Sequence, residues 1–232
     1  MNTSAWKRLQ HLVHELGPFT ACLYALDRLL RRLGHQWGFY YYRFMAQPLS
    51  GAPRLPPHRG AAFTFRLLQA PDPLLDALGR PGAVLLQRFA QGAQCLATLK
   101  NGVLVGCIWF VRHAYREDEV RADYWLPPDG ACVWDFDVFV AESQRLGFLF
   151  AKQWDAFDAL LAPQGARYTV SRINAFNQRS LASHRNLGGQ DCGWALFLRL
   201  GERQCMLSSH RPFLALGGRP ALQIGPSSKA AP

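Results

Sequence analysis

Two carboxylates on one predicted strand are the first residues of this sequence that could do chemistry. Residues 132–140 have strand character, and alternation with period two places Asp135 and Asp137 on the same face. An unpaired buried carboxylate is unstable, so we expect the two side chains to meet cations, hydrogen-bond donors or water in a cleft. Their mutual repulsion, together with partial desolvation, would raise at least one pKa towards the range of a general base. The alternative is a structural ion pair with Arg112 or Arg172 on a neighbouring strand.

The polar segment that follows, residues 142–147, leads directly into a predicted helix. Free backbone N–H groups and the positive end of the helix dipole suit a phosphate at such a junction, and Arg145 adds a cation. Many strand–loop–helix connections contain Gly and Arg, so this loop alone is a weak indication of anion binding.

Several catalytic motifs are absent from the sequence. There is no G-x-S-x-G, G-x-G-x-x-G, Walker or H-E-x-x-H motif. His11 and His14 lie three residues apart on a predicted helix, but no carboxylate or cysteine at ligand spacing supports a metal there, so we predict none. The six cysteines form no C-x-x-C pair and have apolar neighbours, which is typical of small core residues.

The elements that must position these residues alternate between strands and helices. An Asn-Gly pair at 101–102 predicts a two-residue hairpin turn. A stripe of apolar residues with helical spacing predicts about four helical turns over residues 146–161. Strands are predicted at residues 62–68, 94–99, 103–111, 132–140, 166–173, 193–200 and 204–208, and helices at 73–78, 83–90, 146–161 and 177–187.

Composition favours a packed globular protein over a disordered chain, because 49% of the 232 residues are hydrophobic and 18% are charged. No apolar run approaches the roughly 20 residues that span a membrane, and the N-terminus lacks a secretory signal pattern, so we expect a cytoplasmic protein. The net charge of +10 favours an acidic partner: phosphates, an anionic membrane surface, an acidic protein or nucleic acid.

The pattern of the chain predicts four parts. Residues 1–50 contain two amphipathic helical stripes and an aromatic cluster at 39–44, a combination that suits packing on the main domain, a lipid-like ligand or a peripheral position on the inner membrane face. Pro- and Gly-rich residues 51–61 are predicted to be a linker. Residues 62–210 form the main domain, and residues 211–232 a flexible tail.

The order of these elements resembles the GNAT superfamily of acyl-CoA N-acyltransferases over residues 62–208. The resemblance is carried by the strand and polar loop before the long helix, and then by the helix that begins Asn177-Gln-Arg-Ser180 and ends at Leu187-Gly188. It implies an α/β (α+β) fold with a mixed, mostly antiparallel twisted sheet flanked by helices. Here an N-terminal amphipathic helical extension would be added to that fold.

The resemblance also implies a site for acetyl-CoA or another acyl-CoA. Val138 and Val140 would offer backbone groups to the pantetheine arm, where their strand splays from the next one. Asn177 matches the asparagine that contacts the cofactor arm, and Ser180 is the small polar residue three positions later.

In the loop, Gln144, Arg145 and Gly147 match three positions of the family segment that holds the pyrophosphate. Leu149 stands where the last small residue of that segment is expected. If the family segment is aligned to start at Arg145 instead of Gln144, Phe148 falls at the position of its first glycine.

The implied chemistry needs a base and an acid. The attacking amine must be neutral, and we rank Asp137 first, Asp135 second and Glu142 third as its base. His184 occupies the position where the family often has a tyrosine that protonates the leaving thiolate, and an imidazole can donate a proton near neutral pH. The alternative for His184 is a capped or partly buried helix residue.

Taken together, the sequence predicts an acyl-CoA-dependent N-acyltransferase that moves an acyl group, in the simplest case acetyl, to a primary amine in a direct ternary complex. The acceptor would be a small or lipid-linked molecule. An aminoacyl-tRNA-dependent transferase of the same fold is the first alternative, although the basic residues are dispersed and nucleic acid is not the expected partner. A catalytically silent GNAT-like module is the second, prompted by Leu149 and by Gly189 in place of an aromatic residue.

Overall fold

The computed structural model describes residues 3–34, 36–49 and 51–226. The helices are α1 (Thr3–Leu16), α2 (Pro18–Leu33), α3 (Gly82–Ala90), α4 (Leu149–Leu161) and α5 (Gln178–Asn186). The strands are β1 (Trp37–Pro48), β2 (Phe63–Leu68), β3 (Gln94–Lys100), β4 (Val103–Val111), β5 (Ala114–Arg116), β6 (Asp123–Trp125), β7 (Cys132–Val140), β8 (Tyr168–Asn174), β9 (Gln190–Leu200), β10 (Arg203–Ser208), β11 (Leu214–Leu216) and β12 (Ala221–Gln223). Short 3₁₀ helices lie at Pro73–Leu78, Glu142–Gln144 and Ala162–Gln164.

The chain divides into two compact units. The first consists of Met1–Gln47, Arg116–Trp125 and Arg172–Pro232, and the second of Pro48–Tyr115 and Leu126–Ser171. This division differs from the four predicted parts, because segments far apart in sequence belong to the same unit. Within the described ranges, no helix has the length and apolar character needed to cross a bilayer.

The second unit contains a mixed sheet in the order β8, β7, β4, β3, β2. Its neighbouring strands are antiparallel except for β7 and the start of β8, which are parallel. The predicted Asn-Gly turn joins β3 to β4, with φ angles of 52° at Asn101 and 78° at Gly102. The predicted fold class, a mostly antiparallel mixed sheet flanked by helices, is confirmed.

Helices α3 and α4 cover opposite faces of this sheet. Trp109 and Phe110 are consecutive residues of β4, so their side chains point to opposite faces. The ring of Trp109 lies 5.1 Å from that of Phe89 on α3, and the ring of Phe110 lies 5.1 Å from that of Phe157 on α4. The buried core of the unit therefore extends on both sides of β4.

The first unit contains an antiparallel sheet in the order β11, β10, β9, β1. The two predicted N-terminal helices are present as α1 and α2, but the aromatic segment after them is β1 and pairs with β9. Tyr42 and Phe44, two residues apart, are both fully buried on one face of this strand. The prediction that residues 1–50 form a helical extension was therefore wrong for Trp37–Pro48.

The predicted flexible tail contains two strands. β11 pairs with β10, and β12 pairs in parallel with β6. Leu222 and Ile224 are fully buried. The prediction of a flexible tail was therefore wrong for residues 211–226, where two three-residue strands are too short to give a periodic signal. Residues 227–232 of that predicted tail lie outside the described residues.

Candidate active site

Strand β7 contains a β-bulge. Its register with β4 shifts between Cys107 and Trp109, so β7 has one more residue than its partner over this stretch. Asp137 lies in the bulge with a φ of 48°, in the left-handed region that few residues other than glycine adopt. Asp and Asn tolerate this conformation better than most side chains.

The bulge places the two predicted carboxylates on opposite faces of the sheet. Asp135 pairs with Phe110 and therefore shares the face that α4 covers. Asp137 accepts a hydrogen bond from Arg88 of α3, on the other face. The prediction that both lie on one face was wrong, because the extra residue interrupts the alternation on which it rested.

Asp137 is held by two arginines. Its Oδ1 accepts from Nη2 of Arg80 at 2.5 Å, and its Oδ2 accepts from Nη1 of Arg88 at 2.6 Å. The Arg88 side chain is only 6% exposed, and its guanidinium lies over the rings of Trp109 and Phe136 at 5.1 and 5.2 Å. Asp137 is therefore an ion-paired carboxylate rather than an open one.

The cations proposed as structural partners from the sequence have other partners. Arg112 donates to Gln164, and Arg172 forms an ion pair with the buried Glu117 at 2.7 Å between Nη2 and Oε1. The prediction that either would pair with the aspartates of β7 was therefore wrong. Sequence spacing does not show that Arg80 and Arg88 approach a strand about fifty residues later.

Asp135 has a raised pKa. Its side chain is 1% exposed, and this burial raises the pKa to about 7, opposed by the hydroxyls of Thr169 and Ser171 on β8. In the part of the chain that the structure describes, Oδ1 of Asp135 has no hydrogen-bond partner. A raised pKa was predicted for this pair of aspartates from repulsion and partial desolvation; burial is the cause that raises it at Asp135, and Asp137 does not contribute.

The ladder between β7 and β8 is shorter than the ladder between β7 and β4. The parallel ladder between β7 and β8 consists of three residue pairs and ends at Trp134 and Val170, whereas the ladder between β7 and β4 continues to Val140. The last six residues of β7, among them Val138, therefore lie beyond the ladder with β8. The role of Val138 and Val140 at a splayed strand end stays a prediction.

Val140 directs its N–H group away from β4. The next residue, Ala141, donates its N–H to the Val105 carbonyl at 2.8 Å, so the backbone groups of Val140 lie on the other edge of the strand. Its carbonyl is 3.4 Å from Nε of Arg145, which donates to it. The N–H of Val140 therefore points to the edge of β7 that does not pair with β4.

The loop after β7 uses its backbone N–H groups in hydrogen bonds within the loop. The N–H groups of Gln144, Arg145 and Gly147 donate to the carbonyls of Ala141, Glu142 and Gln144 at 2.9, 3.3 and 3.1 Å. The predicted role of these three amides as free anion donors was therefore wrong. The predicted helix start at residue 146 was also early, since α4 begins at Leu149.

The donors near this loop lie in the first turn of α4. The first α-helical bond there runs from the Lys152 N–H to the Phe148 carbonyl at 2.9 Å, so the preceding N–H groups have no acceptor within the helix. Leu149, which stands where a small residue was expected, is fully buried. Its side chain therefore leaves the space outside the helix terminus open.

Two cations lie beside this helix terminus. Arg145 forms an ion pair with Glu142 at 3.1 Å. The Arg59 guanidinium lies 5.0 Å from the centre of the Phe148 ring. Arg59 comes from the predicted linker, where nothing in the sequence indicates proximity to α4, so its position beside the helix could not be predicted.

The linker is irregular, as predicted, but it is bound along α4. The N–H of Arg54 donates to Oδ1 of Asp155 at 2.7 Å, and its Nη1 donates to Oδ2 of Asp158 at 2.7 Å. Gly60 lies close to the Lys152 side chain. These contacts hold Arg59 near the start of the helix.

Gln153 of α4 supports the strand beside the bulge. Its side chain is fully buried, and its Nε2 donates to the Phe139 carbonyl at 3.4 Å. A Cβ on Gly106 would lie 2.7 Å from the same nitrogen. Gly106 is therefore required for Gln153 to reach the backbone of β7.

Helix α5, in the first unit, carries the other predicted site residues. Asn177 caps this helix, since its Oδ1 accepts from the Ser180 N–H at 3.1 Å. His184 is buried, which lowers its pKa to about 4 and leaves the imidazole neutral at pH 7. Glycine is required at position 189 for a structural reason, because a Cβ there would lie 2.7 Å from the His184 carbonyl oxygen.

Among the described residues, no group of three or more His, Cys, Asp or Glu side chains is placed to hold a metal ion.

No family model matches the chain, and no curated protein matches it. Among solved structures, it is similar to a conserved protein of unknown function from Staphylococcus epidermidis ATCC 12228, with 11% identity, coverage of 76% of this chain and 68% of that one, and a TM-score of 0.50. A tandem GNAT protein from the clavulanic acid biosynthesis pathway has 12% identity, coverage of 66% and 50%, and a TM-score of 0.44. An aminoglycoside acetyltransferase from an uncultured soil sample has 10% identity, coverage of 55% and 88%, and a TM-score of 0.40.

The second unit contains the mixed sheet, the short parallel ladder between β7 and β8, and the loop from β7 into α4 that the resemblance in motif order leads us to expect. The likeness to the Staphylococcus epidermidis protein concerns the fold alone.

Proposed function

We propose that the protein transfers an acyl group from an acyl-CoA thioester to an amine. The observation that carries the proposal is the end of β7. There, the ladder with β8 stops at Trp134, a bulge follows at Asp137, and the chain leads through a short loop to the N-terminus of α4. A strand that continues beyond the ladder with one neighbour and leads to a helix N-terminus suits a ligand that is a thioester at one end and a pyrophosphate at the other.

The residues present fit such a ligand. The first-turn N–H groups of α4, with Arg59 and Arg145, would hold the pyrophosphate. The N–H of Val140 would bind an acceptor on the pantetheine arm or the thioester oxygen. When bound, an acyl-CoA supplies an electrophilic carbonyl, with acetyl as the simplest acyl group.

Asp135 is the proposed proton acceptor. Only a neutral amine attacks a carbonyl, and a carboxylate with a pKa of about 7 can remove a proton near neutral pH. Because its side chain is buried, the proton would reach it through the Ser171 hydroxyl. Both oxygens of Asp137 accept from arginines, which supports Asp135 over Asp137.

The other candidates have weaker support. Glu142 is 86% exposed and paired with Arg145, so water surrounds its carboxylate. His184 is neutral at pH 7 and carries no readily released proton, so we assign it no proton transfer. Asn177 uses its side-chain oxygen as a helix cap, which leaves its amide group for a ligand.

The acceptor is proposed to be a primary amine on a small or lipid-linked molecule, acylated directly in a ternary complex in the cytoplasm. Support for direct transfer comes from Asp135, because a base that neutralises the amine is what such a reaction requires from the protein. The resemblance of the motif order to the GNAT superfamily supports the same reaction class.

Calorimetry with acetyl-CoA and longer acyl-CoAs, followed by measurement of free thiol release with a panel of amines, tests the proposal. We expect binding and amine-dependent thiol release by the wild-type chain. Arg59→Gln/Arg145→Gln should weaken binding, whereas the control Arg66→Gln, an exposed arginine paired with Asp72, should not. Absence of binding to every acyl-CoA at low salt would exclude the proposed reaction, and salt-sensitive tRNA binding in its place would favour the aminoacyl-tRNA alternative.

A further inference from the structure

Helix α2 presents a line of apolar side chains to solvent. Phe19, Leu29 and Leu33 are 61%, 54% and 67% exposed, and Cys22 and Leu26 between them are exposed as well. These five residues are separated alternately by three and four positions, so they follow one side of the helix over about 21 Å. We call them the α2 stripe.

The opposite side of α2 is bound to the protein. Leu23 is buried in a cluster with Tyr41. Asp27 accepts hydrogen bonds from the Phe39 N–H and from Nε of Arg31, both at 2.9 Å. These contacts, with the edge-on packing of the Phe19 ring on Tyr41 at 6.1 Å, fix the rotation of the helix. Cys22, Leu26, Leu29 and Leu33 of the α2 stripe therefore stay on the outer surface.

Cations lie next to the α2 stripe. Arg28 and Arg32 are exposed, and Arg32 is three residues from Leu29 and therefore beside it on the helix surface. The one acidic residue of α2, Asp27, is bound to Arg31. The unit that contains α2 has 16 Lys+Arg and 8 Asp+Glu, which gives it +8 of the chain's net charge of +10.

An indole ring continues the α2 stripe beyond its last residue. A Cβ on Gly34, the residue that ends α2, would lie 2.9 Å from Cδ1 of Trp37, so the ring packs against the end of the helix. Trp37 remains exposed in part. Indole rings are favoured at the boundary between lipid headgroups and acyl chains.

We infer that the α2 stripe, together with Arg28, Arg32 and Trp37, docks on an anionic lipid bilayer. A helix with an apolar side next to cations lies in the plane of the bilayer surface, with its apolar side chains among the upper acyl chains. Acidic headgroups then neutralise the two arginines. This inference does not depend on the proposed acyltransferase reaction.

A second copy of the chain is the competing occupant. The α2 stripe covers two heptads, which is shorter than the three or four over which a coiled coil is recognisable. A second α2 would also bring its own Arg28 and Arg32 close to those of the first. Asp27, the one acidic residue of α2, is already bound to Arg31 and does not neutralise them. Charge complementarity therefore favours anionic lipid.

Sedimentation of the full chain with vesicles tests the inference. The wild type should bind vesicles of phosphatidylcholine mixed with phosphatidylglycerol and should not bind pure phosphatidylcholine. Arg28→Gln/Arg32→Gln should lower binding by about 30-fold at low salt, and Leu26→Ser/Leu29→Ser by at least about tenfold. The matched control Arg203→Gln/Arg211→Gln removes the same charge from exposed positions outside α2 and should change binding little.

A fluorophore on the exposed Cys22 reports whether the α2 stripe itself enters the lipid, with Cys192→Ser/Cys205→Ser as the background. We expect a blue shift of its emission on the anionic vesicles. The inference is overturned by absence of binding to those vesicles, by equal losses for both arginine pairs, or by binding without the blue shift. A dimer in sedimentation velocity that Leu26→Ser/Leu29→Ser dissociates, without vesicle binding, overturns it in favour of a second copy.

Discussion

Arg88 of α3 and Asp137 of β7 form an ion pair, with 2.6 Å between Nη1 and Oδ2, at the position where β7 bulges. The arginine is almost fully buried and stacks on two aromatic rings of the sheet. The pair thus connects a helix to the one irregular position of the strand. Its partners explain why Asp137 adopts a positive φ, and they make the residue a structural anchor.

Asp137→Asn should destabilise the protein by about 2 kcal/mol or more, because it leaves the buried Arg88 guanidinium without its counter-charge. Asparagine accepts a positive φ about as well as aspartate, so the backbone is not strained further. Arg80→Gln, which removes the exposed partner of the same carboxylate, should change stability by less than about 1 kcal/mol. Urea unfolding at pH 7 measures both, and equal losses would show that the buried pair has no special role.

Asp135→Asn should change the pH dependence of stability. The folded pKa of about 7 lies above the unfolded value, so the contribution of Asp135 is fully present below about pH 4 and is lost as the pH rises through 7. Asparagine does not titrate. The free energy of unfolding of the variant, relative to wild type, should therefore increase by about 2–3 kcal/mol between pH 5 and pH 8. A constant difference over this range in urea unfolding would refute the raised pKa.

His184→Gln should produce the opposite trend. Burial lowers the pKa of His184 from 6.5 to about 4, so its contribution is present above pH 6.5 and is lost as the pH falls towards 4. From pH 7 to pH 5 the wild type should lose about 2 kcal/mol that the variant retains. The same change at the exposed His58 is the control for the substitution itself. An imidazole that titrates near 6.5 by NMR would contradict this prediction.

Gly106→Ala should destabilise the protein by about 1–3 kcal/mol, because the new methyl group meets the buried Gln153 side chain. Shortening that side chain in Gly106→Ala/Gln153→Ala should recover part of the loss. A double-mutant cycle by urea unfolding should therefore give a coupling of about 1 kcal/mol or more. If the free-energy effects of Gly106→Ala and Gln153→Ala are additive, the side chains at these two positions do not contact each other.

Arg59→Gln should weaken acyl-CoA binding about five- to tenfold at low salt, because one cation is lost beside the start of α4. Calorimetry at low and high salt measures the effect, which should shrink as salt increases. Arg54→Gln tests whether the linker must be held in place for Arg59 to act, since it removes the bond between the linker and Asp158. A loss that does not depend on salt would argue against a direct contact with phosphate.

Local sequence signals predicted the fold better than they predicted the site. The hairpin at Asn101–Gly102 follows from two residues that accept a positive φ, and α4 follows from a periodic apolar stripe. The bulge could not be predicted in this way, because one inserted residue leaves no mark in the composition of β7. It decides which face Asp137 occupies and therefore which partner it meets.

Contacts between distant segments account for the other differences. Strand β1 pairs with β9, about 150 residues later, and an aromatic segment seen alone does not identify that partner. Arg59 lies in a stretch rich in proline and glycine, and only the ion pairs of Arg54 with α4 bring it to the helix terminus. The buried state of His184 likewise depends on its surroundings in the folded chain.

The C-terminal strand β12 has a practical consequence for anyone who expresses this protein. Leu222 and Ile224 are completely covered, and β12 continues the small sheet beside β6. A chain that ends at residue 210, the predicted end of the main domain, would lack both side chains and would expose the apolar surface that they cover. Such a shortened protein should aggregate during purification, whereas one cut after residue 226 should stay in solution.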